Sequence, residues 1–426
     1  MINKKIYMVM LLIFLGLFSS QISLAGDVKG HIDEVFERNG NTIIRGWACV
    51  SSINASIYVH AYAGANYWNN GQFMASTFAN KYTEGAVNQA CGTSAVWHRF
   101  EFNINKAIAD SHKDKLIYIH GINPYGGANL TIGDSGRYRM PIDPLTKMKS
   151  SRVKKILWVA AHPDDEIIIS PLLGEVCKMP GKSCSFVLAN SGYKGVCYKD
   201  NGGNSNCGQL SNDTIRRMEM RASVDYIEGT GENLEIHHTK NGFTADEIGI
   251  IESDWNTSVT GSYKNYIKNK INEVKPDIII THDPRHGTTC HPEHRVIGDI
   301  VYRVVKESPF MIRNDAYVVT NRRVVVGGKI GLDSANTVDP SNWQYNANTS
   351  RLPYFGNITG WNFLTNVVSK HPSQFNAPLR YAIATVPAEN RRISLQSMAN
   401  YANTNSANEA IYEKWCADYT PYNNSK

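Results

Sequence analysis

Two short clusters of this 426-residue chain hold side chains able to bind a metal and activate water. The first is Ala161-His162-Pro163-Asp164-Asp165-Glu166, and the second is His291-Pro292-Glu293-His294. Two histidines and a carboxylate around an open position make a catalytic zinc site, because zinc takes four N and O ligands and needs one position for water. Three protein ligands can be drawn from the two clusters, with one carboxylate and one imidazole to spare. The surplus supplies what hydrolysis requires, a base to take a proton from water and a donor for the developing oxyanion. Alone, the first cluster reads as a solvated acidic turn and the second as a pair of surface histidines. Their shared position after buried strands favours the metal reading.

Those strands are apolar runs without alternation: Ile156–Ala161, Ser185–Ala189 and Asp277–Thr281. Such runs are buried on both faces, as in a parallel sheet. Between them, Ile215, Met218, Ala222 and Tyr226 recur at helical spacing and stop at Gly229, and Tyr263, Ile267, Ile271 and Val274 do so and stop before Pro276. Strands alternating with amphipathic helices predict an α/β domain, a Rossmann-like parallel sheet with helices on both faces, over residues 152–426. In such a sheet ligands collect at the carboxyl ends of strands, so both clusters must emerge at one edge. His291 and His294 open a helix with apolar positions Val296, Ile297, Ile300, Val301 and Val304, and their i, i+3 spacing puts both imidazoles on one face of its first turn.

At these residues the chain resembles the LmbE-like, or PIG-L, family of zinc-dependent N-deacetylases, over roughly 154–375. The resemblance implies one zinc ion held by His162, Asp165 and His294, with Asp164 the general base and His291 a positively charged group for the oxyanion. Arg216-Arg217-Met218-Glu219 resembles the family's R-x-E helix, with Arg217 as a candidate substrate contact, and Ser373-Gln374 resembles a C-terminal motif. Glu293 stands where the family has Asp, Ser170-Pro171 replaces a Gly-rich helix start, and 193–210 looks inserted. The implied activity is removal of N-acetyl groups from N-acetylglucosamine-type sugars. A sugar-binding or adhesion protein without turnover, and a zinc amidase on another amide, are the alternatives.

The rest of the chain reads as a carrier of that domain. Residues 1–25 form a signal peptide: Lys4 and Lys5, the apolar run Met8–Phe18, then Ser23-Leu24-Ala25. No other stretch is long and apolar enough to span a membrane. The mature chain is thereby expected in the periplasm or outside the cell. The net charge of +6 falls to +4 when Lys4 and Lys5 leave, spread too thinly for nucleic acid to be a partner. All eight cysteines lie in the mature chain, so disulfides are expected. Local spacing pairs Cys49 with Cys91, Cys177 with Cys184 and Cys197 with Cys207, leaving Cys290 for Cys416.

Residues 27–140 alternate in short runs such as Thr42–Trp47 and Ala55–Tyr62, broken by Gly and Asn, and predict a smaller all-β sandwich. Gly46-Trp47-Ala48-Cys49, Ala90-Cys91-Gly92 and His98-Arg99-Phe100 resemble a small β-sandwich module of bacterial exported and surface proteins. Tyr62, Tyr67 and Trp68 either stack on sugar rings or fill a small core. Residues 141–151, polar with two prolines, read as a linker, and Gly327–Thr359 as long surface loops near a binding cleft.

Overall fold

Alternation of inward and outward side chains builds the first unit. The computed structural model describes residues 26–192, 211–237, 263–288, 291–308, 315–320, 323–326, 329–332, 343–375 and 392–402. The signal-peptide segment, the 193–210 loop and Cys197, Cys207, Cys290 and Cys416 lie outside the described residues. The chain divides into two units, residues up to Val35 with Asn41–Met140, and Phe36–Gly40 with Pro141 onward.

In the first unit the strands are β1 (Val28–Arg38), β2 (Asn41–Val50), β3 (Tyr58–Ala63), β4 (Gln72–Phe78), β5 (Lys81–Tyr82), β6 (Trp97–Ile104), β7 (Ile117–Gly121) and β8 (Leu130–Thr131). They form two four-stranded sheets, β1-β2-β6-β5 and β4-β3-β7-β8. Ile44, Phe100, Phe102 and Ile104 from one sheet and Val59, Ala61, Ile117 and Ile119 from the other share one core, so the unit is a β-sandwich. Gly46 lets β2 lie against β1: a Cβ there would meet the His31 carbonyl oxygen at 2.2 Å. Cys49 is bonded to Cys91, tying β2 to helix α1 (Gly85–Cys91).

The second unit has a seven-stranded sheet of β9 (Lys155–Ala160), β10 (Ser183–Leu188), β11 (Leu234–Ile236), β12 (Ile278–His282), β13 (Ala316–Val319), β14 (Trp343–Asn346) and β15 (Arg392–Ser397). The order is β11-β10-β9-β12-β13-β15-β14. It is parallel from β11 to β13, and β15 runs antiparallel to both β13 and β14. The run after Lys155 is buried throughout, and its side chains divide between two cores. Ile156, Trp158 and Ala160 join Leu172 and Leu173 of α2 (Ser170–Val176), Met220 and Val224 of α3 (Asn212–Glu228) and Phe363 of α4 (Gly360–Val368). Leu157, Val159 and Ala161 join Ile267 and Ile271 of α5 (Tyr263–Val274) and Ile297, Ile300 and Val304 of α6 (Pro292–Glu307). Full burial of each such side chain stabilises the fold by about 1.5–3 kcal/mol. Cys177 is bonded to Cys184, joining the residue after α2 to β10.

Three features differ from the sequence reading. The stretch 141–151 carries a helical turn, Pro144–Lys149, whose Met148 packs in the second unit's core. Within the stretch read as surface loops, β14 is a sheet strand with Tyr345 buried, because its partner β15 lies far along the chain. Helix α3 forms and stops at Gly229, but Met218 is 58% exposed; the buried stripe holds Arg216, Glu219, Met220, Ser223, Val224 and Ile227.

Candidate active site

The central strands β9 and β12 are neighbours, and the chain leaves them in opposite directions. After β9 it crosses through α2 on one face to β10, and after β12 through α6 on the other face to β13. Loops that part in this way open a crevice at the carboxyl end of the sheet. His162 follows β9 and His294 lies in the first turn of α6, so the crevice is lined from both sides.

The first loop is stitched tightly. Asp165 starts a 3-10 turn, and its Oδ2 accepts the backbone N–H groups of Ala161 (3.0 Å) and His162 (2.8 Å). That leaves Oδ1 to face His294 Nε2 at 2.9 Å. Asp164 takes a left-handed conformation (φ 95), unusual for a residue with a side chain and a mark of strain held by surrounding bonds. Its N–H is accepted by Glu166 Oε2 (3.1 Å), while Glu166 Oε1 accepts Ser223 Oγ (2.5 Å) and His371 Nε2 (2.6 Å). Arg216, reaching in from α3, donates to Asp164 Oδ2 (3.1 Å), the Pro163 carbonyl (2.5 Å) and the Gly192 carbonyl (2.9 Å).

The second loop orients its imidazoles from behind. His294 Nδ1 lies 3.0 Å from the Gly287 carbonyl and donates to it, so Nε2 is the nitrogen turned toward Asp165 and His162. A Cβ on Gly287 (φ 60) would meet the His291 carbonyl oxygen and His294 Cβ at 2.8 Å each, so this close approach needs glycine. His162 Nε2 donates to the fully buried Glu293, and its Nδ1 lies 3.3 Å from His294 Nε2. His282, the last residue of β12, places Nε2 3.2 Å from Asp165 Oδ2 without hydrogen-bond alignment. Two overlapping sets could hold one cation and share His294: His162, His291 and His294, and Asp165, His282 and His294. The fit is chemical as well as spatial, since imidazole nitrogens beside a carboxylate oxygen are a donor set that zinc accepts.

Burial and charge divide the protonation states. Burial opposes ionisation of Asp165, but His294 and His282 overcome it and hold its carboxyl well below the usual range. Burial pushes Asp164 up to about 6 against the pull of Arg216. Burial, then His294, pushes His282 down to about 4. For His291, burial followed by His294 and His162 holds the ring well below the ordinary imidazole value. His291 Nδ1 also accepts the Glu293 N–H (3.2 Å), which leaves Nε2 as the nitrogen that can donate.

The structure thus brings His162, Asp164, Asp165, His291 and His294 to one crevice. The α3 residue that reaches Asp164 is Arg216; Arg217 is held by Asp213 (3.1 Å) and donates to the Ile236 carbonyl (3.2 Å). Sequence reasoning passed over His282 and gave Glu293 and Glu166 no role. A polar residue ending a buried parallel strand was the available signal for His282. Ser373 anchors its segment on α3, its N–H and Oγ bonded to Glu219 at 2.7 and 2.6 Å.

A doubly wound sheet here carries, at its switch point, a crevice of histidine and carboxylate side chains that could hold a metal ion. Residues 157–305 match the PIG-L family model, described as GlcNAc-PI de-N-acetylase, so the chain carries a PIG-L family domain there. No curated protein matches the chain in sequence. Among solved structures, the N,N'-diacetylchitobiose deacetylase from Pyrococcus horikoshii is similar with a TM-score of 0.37 and 15% identity, over 59% of this chain and 86% of that one. A conserved protein from Thermus thermophilus gives 0.33 and 13%, over 52% and 80%. The 4-carboxy-2-hydroxymuconate hydratase from Pseudomonas putida gives 0.35 and 10%, over 57% and 95%.

Proposed function

We propose that the chain is an exported zinc-dependent hydrolase that removes N-acetyl groups from N-acetylglucosamine-type sugars in a polysaccharide, peptidoglycan fragment or glycolipid. The observation that carries this reading is the convergence of His162 Nδ1, Asp165 and His294 Nε2, which lie 2.9 to 3.8 Å from one another, with both imidazoles held from behind by Glu293 and the Gly287 carbonyl. The family match over 157–305 supports the N-deacetylase reaction. Two disulfides, and no helix among the described residues long and apolar enough to cross a membrane, accord with export to the periplasm or beyond.

His162, Asp165 and His294 would hold one zinc ion, which when bound supplies Lewis acidity toward the acyl oxygen and toward water. Asp164, raised by burial and steadied by Arg216, takes the proton from the attacking water and returns a proton to the departing amine. His291 Nε2–H donates to the oxygen on which charge develops. Glu166 and His371 keep the Asp164 backbone in the turn that aims its carboxylate.

The test is acetate release by the zinc-loaded protein from N-acetylglucosamine polymers, peptidoglycan and glycolipids, beside a chelated sample. Release that chelation abolishes and zinc restores is expected. Zinc binding with no release from any substrate would sink the deacetylase reading in favour of another amide or a sugar-binding protein.

A further inference from the structure

The two sheets of the first unit differ in charge. On β1, β2 and β6, Asp33, Glu34, Arg45, Arg99 and Glu101 pair into a charged lattice, with Arg45–Glu101 at 2.7 Å and Arg99–Asp33 at 2.5 Å. The strands β3, β4, β7 and β8 contain no Asp, Glu, Lys or Arg. Their inward positions hold Val59, Ala61, Ile117 and Ile119, and the alternate positions carry mostly rings, with Ser76 opposite His60 and Thr131 opposite His120. Tyr58 faces Phe78, His60 faces His120, and Tyr62 lies between Phe73 and Tyr118. Burial lowers both His60 and His120 from the ordinary imidazole value, so the face is neutral at pH 7.

The turn between β3 and β4 extends this face with Tyr67 and Trp68, which are 55% and 63% exposed. Their rings lie 5.0 Å apart, and Tyr67 is 5.7 Å from the buried Tyr62. The turn is fixed: Asn66 Oδ1 accepts the Asn69 N–H (3.0 Å), the Asn66 carbonyl accepts the Gly71 N–H (2.9 Å), and His120 Nε2 accepts the Tyr67 N–H (3.1 Å). Holding two large rings in water on a rigid turn forgoes the stabilisation that burial would supply, which marks a recognition surface. Aromatic side chains give contact area at little cost in conformational entropy. Lys115 reaches the rim, where it donates to Gln72 Oε1 (2.5 Å).

We infer that this ring-bearing sheet, with Tyr67 and Trp68 at its edge, binds a neutral glycan chain whose pyranose rings stack on those two side chains. The charge pattern selects the occupant. A nucleic acid or anionic polymer needs cations along its path, and the four strands offer none. A sugar presents an apolar C–H face to stack and hydroxyl or acetamido groups for neutral donors and acceptors such as Asn69, Asn70 and Ser76. The choice of an N-acetylated polymer as first probe rests on the proposed function; the binding itself does not.

The experiment is co-sedimentation of the full chain with powdered chitin and with cellulose, at roughly 0.1 and 1 M salt, comparing wild type with Tyr67→Ala/Trp68→Ala. Wild type should be retained at both salt concentrations, and the double variant should bind at least about tenfold more weakly with an unchanged melting temperature. Acetate release from a soluble acetylated disaccharide should be equal in the two. Wild type that neither polymer retains, a double variant that binds as well as wild type, retention lost at high salt, or a wild-type dimer in sedimentation velocity that the double variant abolishes would each overturn the inference. Specific retention without acetate release from any substrate would uphold it and count against the hydrolase reading.

Discussion

The imidazoles that face Asp165 are aimed by what lies behind them. Glu293 accepts a hydrogen bond from His162 Nε2–H, and the Gly287 carbonyl accepts one from His294 Nδ1–H. Partners of this kind typically contribute 10- to 100-fold, roughly, in metal affinity. Glu293→Gln should therefore weaken zinc binding about tenfold in a competition titration with a chromophoric chelator; unchanged affinity would remove Glu293 from this role. Asp164 faces a different task. Asp164→Ala is expected to keep zinc and lose about 10²- to 10⁴-fold in turnover, whereas His294→Ala should lose both. Substantial activity in Asp164→Ala would mean another group is the base.

At the scale of elements, the loop between β12 and α6 depends on close backbone approach. Gly287→Ala puts a methyl group within contact of His291 and His294 at a positive φ, so a loss of about 1–3 kcal/mol is expected. Thermal unfolding would show it, with zinc content falling in parallel; an unperturbed melting temperature would contradict the crowding. Long apolar strands and the α5 and α6 helices were legible because one physical force, burial of aliphatic surface, set their pattern. The meeting of His162 with His294 was legible for the same reason, both clusters following buried parallel strands. Helix α3 was legible in extent but not in phase. Its buried stripe includes Arg216, Glu219 and Ser223, held by Asp164, Ser373 and Glu166, and a search for apolar residues cannot find a face made by polar satisfaction. Strand β14 was illegible because its place is decided by β15, not by its own composition.

For the molecule as a whole, the division into two units makes separable effects the expectation. The Cys49–Cys91 bond closes a 42-residue separation, for which loop entropy gives about 4 kcal/mol. Changing both to Ser should lower the unfolding free energy of the sandwich by that order, read in calorimetry as a lower melting temperature, and leave zinc stoichiometry untouched; a fall in zinc content would tie the two units together. Strand β15 carries a different kind of consequence. It enters the sheet between β13 and β14 although both precede it in the chain. A nascent chain that has reached residue 390 can assemble the parallel strands, yet its β13, buried at every position in the finished fold, ends in an open edge. Closure of that edge is a late event in synthesis, and a chaperone or protease meeting the chain before it would find the apolar run Ala316–Val319 still unpaired.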